Sequence, residues 1–117
     1  MKLLNGLELA YCTNVHRGNT WEETFHSLNH YVLKVRNKVM PEGRFAIGLR
    51  LGAQAASELS SRSEMLGFQK WLEAENCYVF TINGFPYGNF HGQRVKEDVY
   101  RPDWTTTERL DYTVLLF

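Results

Sequence analysis

FAIGLRLGAQAASEL, residues Phe45 to Leu59, decides how the rest of the chain is read. Phe45, Ile47, Leu49 and Leu51 alternate with Ala46, Gly48 and Arg50. Successive strand residues face opposite sides, so this is a strand with one face of large hydrophobes and one of small or polar groups. Gly52 breaks the pattern, and Gly52 to Leu59 reads as a short helix. A strand running straight into a helix is one βα unit, and the same unit recurs on either side.

Apolar runs at Leu7 to Val15 and Tyr78 to Ile82 flank the central one, and each is followed by a helical pattern. After the first, Thr20 and Glu23 form a capping box, and Trp21, Phe25, Leu28, Val32, Val35 and Val39 make one stripe that Pro41 and Gly43 end. In the second unit Ser61 and Glu64 suggest another capping box, with Met65, Phe68 and Leu72 turned inward. Thr105 to Phe117 reads as a helix capped by Thr107 or a neighbour, with Leu110, Val114 and Phe117 at helical spacing. The sequence stops inside this apolar pattern, as an interrupted chain would.

Strand starts lie about 33 to 38 residues apart, the size of one βα unit. In strand one Ala10, Cys12, Asn14 and His16 alternate with Leu9, Tyr11 and Val15. In strand three Val79, Thr81 and Asn83 alternate with Tyr78, Phe80 and Ile82. A doubly wound sheet would need both faces evenly apolar. One bulky face under helices and one small, increasingly polar face instead suit a sector of a (β/α)8 barrel. A whole barrel needs roughly 250 residues, so 117 residues supply three of its eight units as one partial domain, residues 1–117.

Composition excludes several classes. Thirteen basic residues balance thirteen acidic ones, so no net field recruits nucleic acid or an anionic membrane. The start, MKLLNGLELAY, is interrupted by Asn5, Gly6 and Glu8. It is no secretory signal, and no apolar run is long enough for membrane insertion. Cys12 and Cys77 have no metal-ligand spacing and read as two reduced, buried thiols of a cytoplasmic protein.

The chemistry concentrates at the expected C-terminal mouth of the strands. Asn14, His16, Arg50 and Asn83 fall at strand ends. The stretch YVFTINGFPYGNFHGQRVKEDVYRPDW, Tyr78 to Trp104, adds Phe85, Tyr87, Phe90, His91 and Lys96. An imidazole passes protons near neutral pH, which makes His16 and His91, with Lys96, the catalytic candidates. Arg50, Asn14 and Asn83 are candidates for holding a hydroxyl, carboxylate or phosphate, and Phe85 and Tyr87 for walling a sugar-like ring. A buried Arg50 is expected to need an anionic partner. The plainer readings are a strand-end hydrogen bond for His16 and a solvated loop for Lys96, Glu97 and Arg101. His26 and His30 have metal-site spacing but lie opposite the apolar stripe, without a third ligand, so no metal site is assigned. Gly48 and Gly52 around Arg50 lack the remaining signature of a phosphate loop.

Three segments carry a resemblance: YCTNVHRGNTWEE (Tyr11 to Glu23), FAIGLRLGAQAA (Phe45 to Ala56) and Tyr78 to Trp104. Together they resemble, in order, the N-terminal part of the EboE-type metabolite-traffic proteins, a branch of the xylose isomerase-like TIM barrels. The resemblance implies a cytoplasmic barrel tied to production or export of a secondary metabolite. It would bind a small polar or sugar-like ligand and work beside partner proteins of the same gene cluster. The superfamily also implies, as an alternative, a sugar isomerase or epimerase using a divalent metal, with His91 of Phe90-His91-Gly92 as the sugar-handling histidine. Metal ligands in such enzymes come mostly from later strands, so these three units alone are expected to be inactive. A truncated remnant without function is the third reading.

Overall fold

The structure, a computed structural model, describes residues 1–88 and 98–117. Three strands, β1 (Tyr11–Cys12), β2 (Phe45–Arg50) and β3 (Cys77–Asn83), form a parallel sheet in the order β1-β2-β3. The α/β class and the parallel arrangement follow the expectation from sequence. The helices are α1 (Trp21–Ser27), α2 (Leu33–Val39), α3 (Ala53–Leu59), α4 (Arg62–Ala74) and α5 (Thr107–Leu115).

β2 is buried along its whole length, and its two faces differ as its alternation requires. Phe45, Ile47 and Leu49 join Trp21, Leu28, Val32, Ala55, Leu59, Phe68 and Tyr112 in one apolar core, so the helices cover that face. Phe45, Ile47, Leu49, Leu28 and Val32 are fully buried, each stabilising the fold by about 1.5–3 kcal/mol relative to exposure. At the other end of the sheet, the Tyr78 hydroxyl donates to Glu8 at 2.9 Å, tying the first residues of the chain to the start of β3.

Four local features depart from the expected pattern. First, β1 is two residues long, not the run from Leu7 to Val15. Residues Thr13–Val15 turn into a 3-10 helix, and the Thr13 hydroxyl accepts the Arg50 backbone N–H at 2.8 Å where a ladder carbonyl would otherwise do so. Second, β3 contains a bulge. Ile47 pairs with Val79 but Gly48 pairs with Thr81, leaving Phe80 as the extra residue. The bulge reverses the alternation beyond it, so Ile82 shares the helix-facing side with Val79, while Tyr78, Thr81 and Asn83 take the other.

Third, the expected single helix from Trp21 to Val39 carries a π-helical turn at Leu28–Val32. The additional residue rotates the turns C-terminal to it, so Val39 is 58 % exposed while Leu33, Val35 and Met40 pack on the core. Fourth, α5 turns the other way from its expected stripe. Leu110, Val114 and Phe117 face outward, and Tyr112 is only 4 % exposed. Tyr112 wins that position because its ring packs edge-on against Tyr87 and its hydroxyl donates to the buried Leu51 carbonyl.

The caps explain how the crossovers begin. Thr20 and Glu23 make the full reciprocal capping box at the start of α1. Ser61 accepts from the Glu64 N–H at 3.3 Å, but the Glu64 carboxylate accepts from the Trp21 indole at 3.0 Å instead of closing a box. Glu58 accepts from the Trp21 backbone N–H at 2.7 Å, so two carboxylates of the second unit anchor the first helix of the first.

Candidate functional site

Parallel strands bring all three C-terminal ends to one rim, and the rim has two unlike sides. On the β1–β2 side Arg50 is the central group. It is 7 % exposed, and burial lowers its pKa. Among the described residues two backbone carbonyls hold it, where an anionic partner is expected. Its Nη1 donates to the Gly18 carbonyl at 2.9 Å and its Nη2 to the Gly88 carbonyl at 3.2 Å. The planar fork of a guanidinium can reach two carbonyls at once, and carbonyl oxygens carry enough partial charge to solvate it. Arg50 therefore ties the segments after β1 and β3 to the end of β2. Ala53 N–H to Tyr87 O at 2.8 Å and Leu51 N–H to Asn83 O at 3.1 Å add backbone ties across the same rim.

His16 lies in that braced region. Its ring is stacked between Tyr31 at 5.0 Å and Tyr11 at 5.8 Å, and its Nε2 shares a hydrogen bond with the Tyr11 hydroxyl at 2.9 Å. Burial lowers its pKa, favouring neutral imidazole. His16 and Arg50 line one cavity with Thr13, Gly18, Thr24, Ser27 and Leu28, but its volume is about 10 Å³. That is room for about one water molecule. Asn14 accepts from the exposed Cys12 thiol at 3.1 Å.

The β3 side is open. A pocket of about 450 Å³ is bounded by Ile82, Asn83, Gly84 and Phe85 from the strand end, Trp104 from the approach to α5, and Arg109, Thr113, Leu116 and Phe117 from α5 and its end. Phe85 packs against Tyr100 at 5.7 Å. The Arg109 guanidinium lies 5.3 Å from the Trp104 ring centre and 5.7 Å from that of Tyr112. Small-molecule sites have this size range and this mixture of aromatic walls with few polar groups.

The candidate residues thus divide. Arg50 and His16 meet in a water-sized cavity, while Asn83 and Phe85 border the open pocket. Tyr87 is half-buried against Tyr112 and the core, so it joins the packing between α5 and the rim. His91, Lys96 and Phe90 lie outside the described residues. Sequence reading missed Trp104, Arg109 and Thr113. The signal for the latter two is the spacing of Arg109, Tyr112, Thr113 and Leu116, which is helical but mixed in polarity and so hidden behind the apolar series.

His26 and His30 are exposed, with rings stacked 4.5 Å apart. Both cysteines are free thiols, but only Cys77 is buried as expected, and burial pushes it up to about 11; Cys12, at the end of the short β1, is exposed. Among the described residues no group of three potential ligands could hold a metal, and no helix is long and apolar enough to cross a membrane. No family model, curated protein or solved structure matches the chain.

Proposed function

We propose that this chain is the N-terminal three-unit sector of a xylose isomerase-like (β/α)8 barrel of the metabolite-traffic type, and that it binds a small sugar-like or polar metabolite at the mouth of its strands. The observation that carries the reading is the pocket of about 450 Å³ at the C-terminal end of β3, with Phe85 and Trp104 as ring-sized walls and Asn83, Thr113 and Arg109 as polar groups. The consecutive parallel order β1-β2-β3, with helices on one face, supports the barrel part of the proposal, because barrel strands follow one another in sequence. The proposed setting is the cytoplasm, with partner proteins from the same gene cluster.

Binding is favoured over catalysis within this chain for a specific reason. His16, the proton-carrier candidate among the described residues, is stacked between two tyrosines beside a cavity too small for a metabolite, away from the open pocket. The sugar isomerase or epimerase alternative requires the longer barrel and a divalent metal.

The test is an NMR titration of the isotope-labelled 117-residue chain with D-glucose, D-glucuronate and D-glucose 6-phosphate in turn. Saturable shifts at Gly84, Phe85, Trp104 and Thr113 with at least one of them are expected. Spectra unmoved by all three overturn the reading, and conversion of a sugar during the titration moves it to the isomerase alternative.

A further inference from the structure

The two arginines of the rim differ in what their guanidinium groups touch. Arg50 donates to two carbonyls, whereas the Arg109 guanidinium makes no hydrogen bond or ion pair among the described residues, and its Nε is buried without a partner. Burying part of a cation without an acceptor opposes folding, so Arg109 holds an unfavourable position that some other interaction must offset. Trp104 and Tyr112 contribute through their ring faces, which attract the cation and fix the plane in which it lies.

Aromatic rings beside a guanidinium do not replace the acceptors its N–H groups require. A fixed planar fork with donors to offer binds a carboxylate or phosphate best, through two parallel charge-assisted hydrogen bonds. Arg109 borders the open pocket, so an acceptor could come from a molecule seated there. Asn83 and Thr113, on the same walls, suit hydroxyl groups, and Phe85 suits the apolar face of a ring.

We infer that the pocket at the end of β3 selects an oxyanion-bearing, hydroxylated ring compound, a sugar acid or sugar phosphate, with Arg109 receiving the anionic group. This rests on the proposed metabolite-binding reading of the same pocket and narrows it to one ligand class. Carboxylate and phosphate present the same acceptor chemistry to Arg109, and separate probes distinguish them.

The experiment is isothermal titration of the 117-residue chain with D-glucose, D-glucuronate, D-glucose 6-phosphate and inorganic phosphate. At least one charged sugar is expected to bind tenfold or more tightly than glucose, and the one that does so identifies the anionic group. Arg109→Gln should remove that advantage, and Arg109→Lys should keep part of it, because an ammonium retains charge but loses the fork. Following the Trp104 indole N–H in unsubstituted protein gives a readout that depends on no variant folding. Its shift should saturate with the charged sugar at concentrations where glucose leaves it unmoved.

Glucose binding as tightly as both charged sugars overturns the anion selection and leaves metabolite binding standing. So does an Arg109→Gln protein that stays folded and keeps the full advantage. Inorganic phosphate binding as well as the sugar phosphate overturns the ring requirement. Binding of none of the probes overturns this inference and the broader reading together.

Discussion

One rim carries two arginines in opposite situations. On the β1–β2 side Arg50 is enclosed, joined to Gly18 and Gly88, and borders a cavity of about 10 Å³. On the β3 side Arg109 lies against aromatic rings at the edge of about 450 Å³. The same side chain serves as a brace where backbone carbonyls converge and, in the reading proposed above, as a recognition group where they do not. Residue type alone cannot distinguish these roles; the acceptors around the guanidinium do.

The sharpest way to break the comparison is to remove each charge. Arg50→Met should lower unfolding stability by about 3 kcal/mol, since it leaves two carbonyls without their charged donor. Arg109→Met should stay within about 0.5 kcal/mol of the parent, as a substitution that removes no hydrogen bond among the described residues. Urea denaturation of both variants reads the difference. Equal losses would mean that Arg109 is as structural as Arg50.

Tyr112 joins the two sides, with its hydroxyl on the Leu51 carbonyl and its ring under Arg109. Tyr112→Phe should cost about 1–2 kcal/mol by leaving a buried carbonyl unpaired, while keeping the ring. Denaturant unfolding should therefore show the loss, and ligand titration of the folded variant should show the β3 pocket intact. A loss of ligand affinity without a loss of stability would reverse the assignment of its hydroxyl.

The smallest effect concerns pH. Burial lowers the His16 pKa from its ordinary value of 6.5, so in the window just below that value the unfolded chain binds more proton than the folded one. Stability is fully present above pH 6.5 and is lost as pH falls through the lowered value. His16→Gln should flatten that part of the stability–pH curve. The carboxylates of Glu23 and Asp103, held below their usual range by hydrogen bonds, act only at lower pH. An unchanged slope in His16→Gln would place the titration elsewhere.

Much of the scaffold was legible because side-chain chemistry specifies it. The alternation around Ala46, Gly48 and Arg50 marked β2, and Thr20 with Glu23 marked the start of α1, as found. The misreadings share a cause: backbone groups carry no residue signature. Nothing in the letters says that Arg50 meets the carbonyls of Gly18 and Gly88, or that Thr13 replaces a strand partner. The bulge at Phe80 and the π turn at Leu28–Val32 each insert one residue into a regular repeat, and periodicity passes straight over them. In α5 a buried hydroxyl outweighed three apolar side chains. For the candidate site, the sequence places Asn83 and Phe85 at a strand end, where both border the pocket, but it carries no sign that two backbone carbonyls hold the Arg50 guanidinium among the described residues.

Arg50 also bears on the order in which the chain assembles. Its contacts to Thr13, Gly18 and Gly88 span 37, 32 and 38 residues. Such long closures carry a larger entropic cost than the turns within each βα unit, so local units form first. The guanidinium then engages only after three separate segments have arrived, as a clasp fastened late. Loss of a late contact leaves the folding rate nearly unchanged and quickens unfolding. Arg50 therefore governs how long the folded state lasts more than how quickly it is reached.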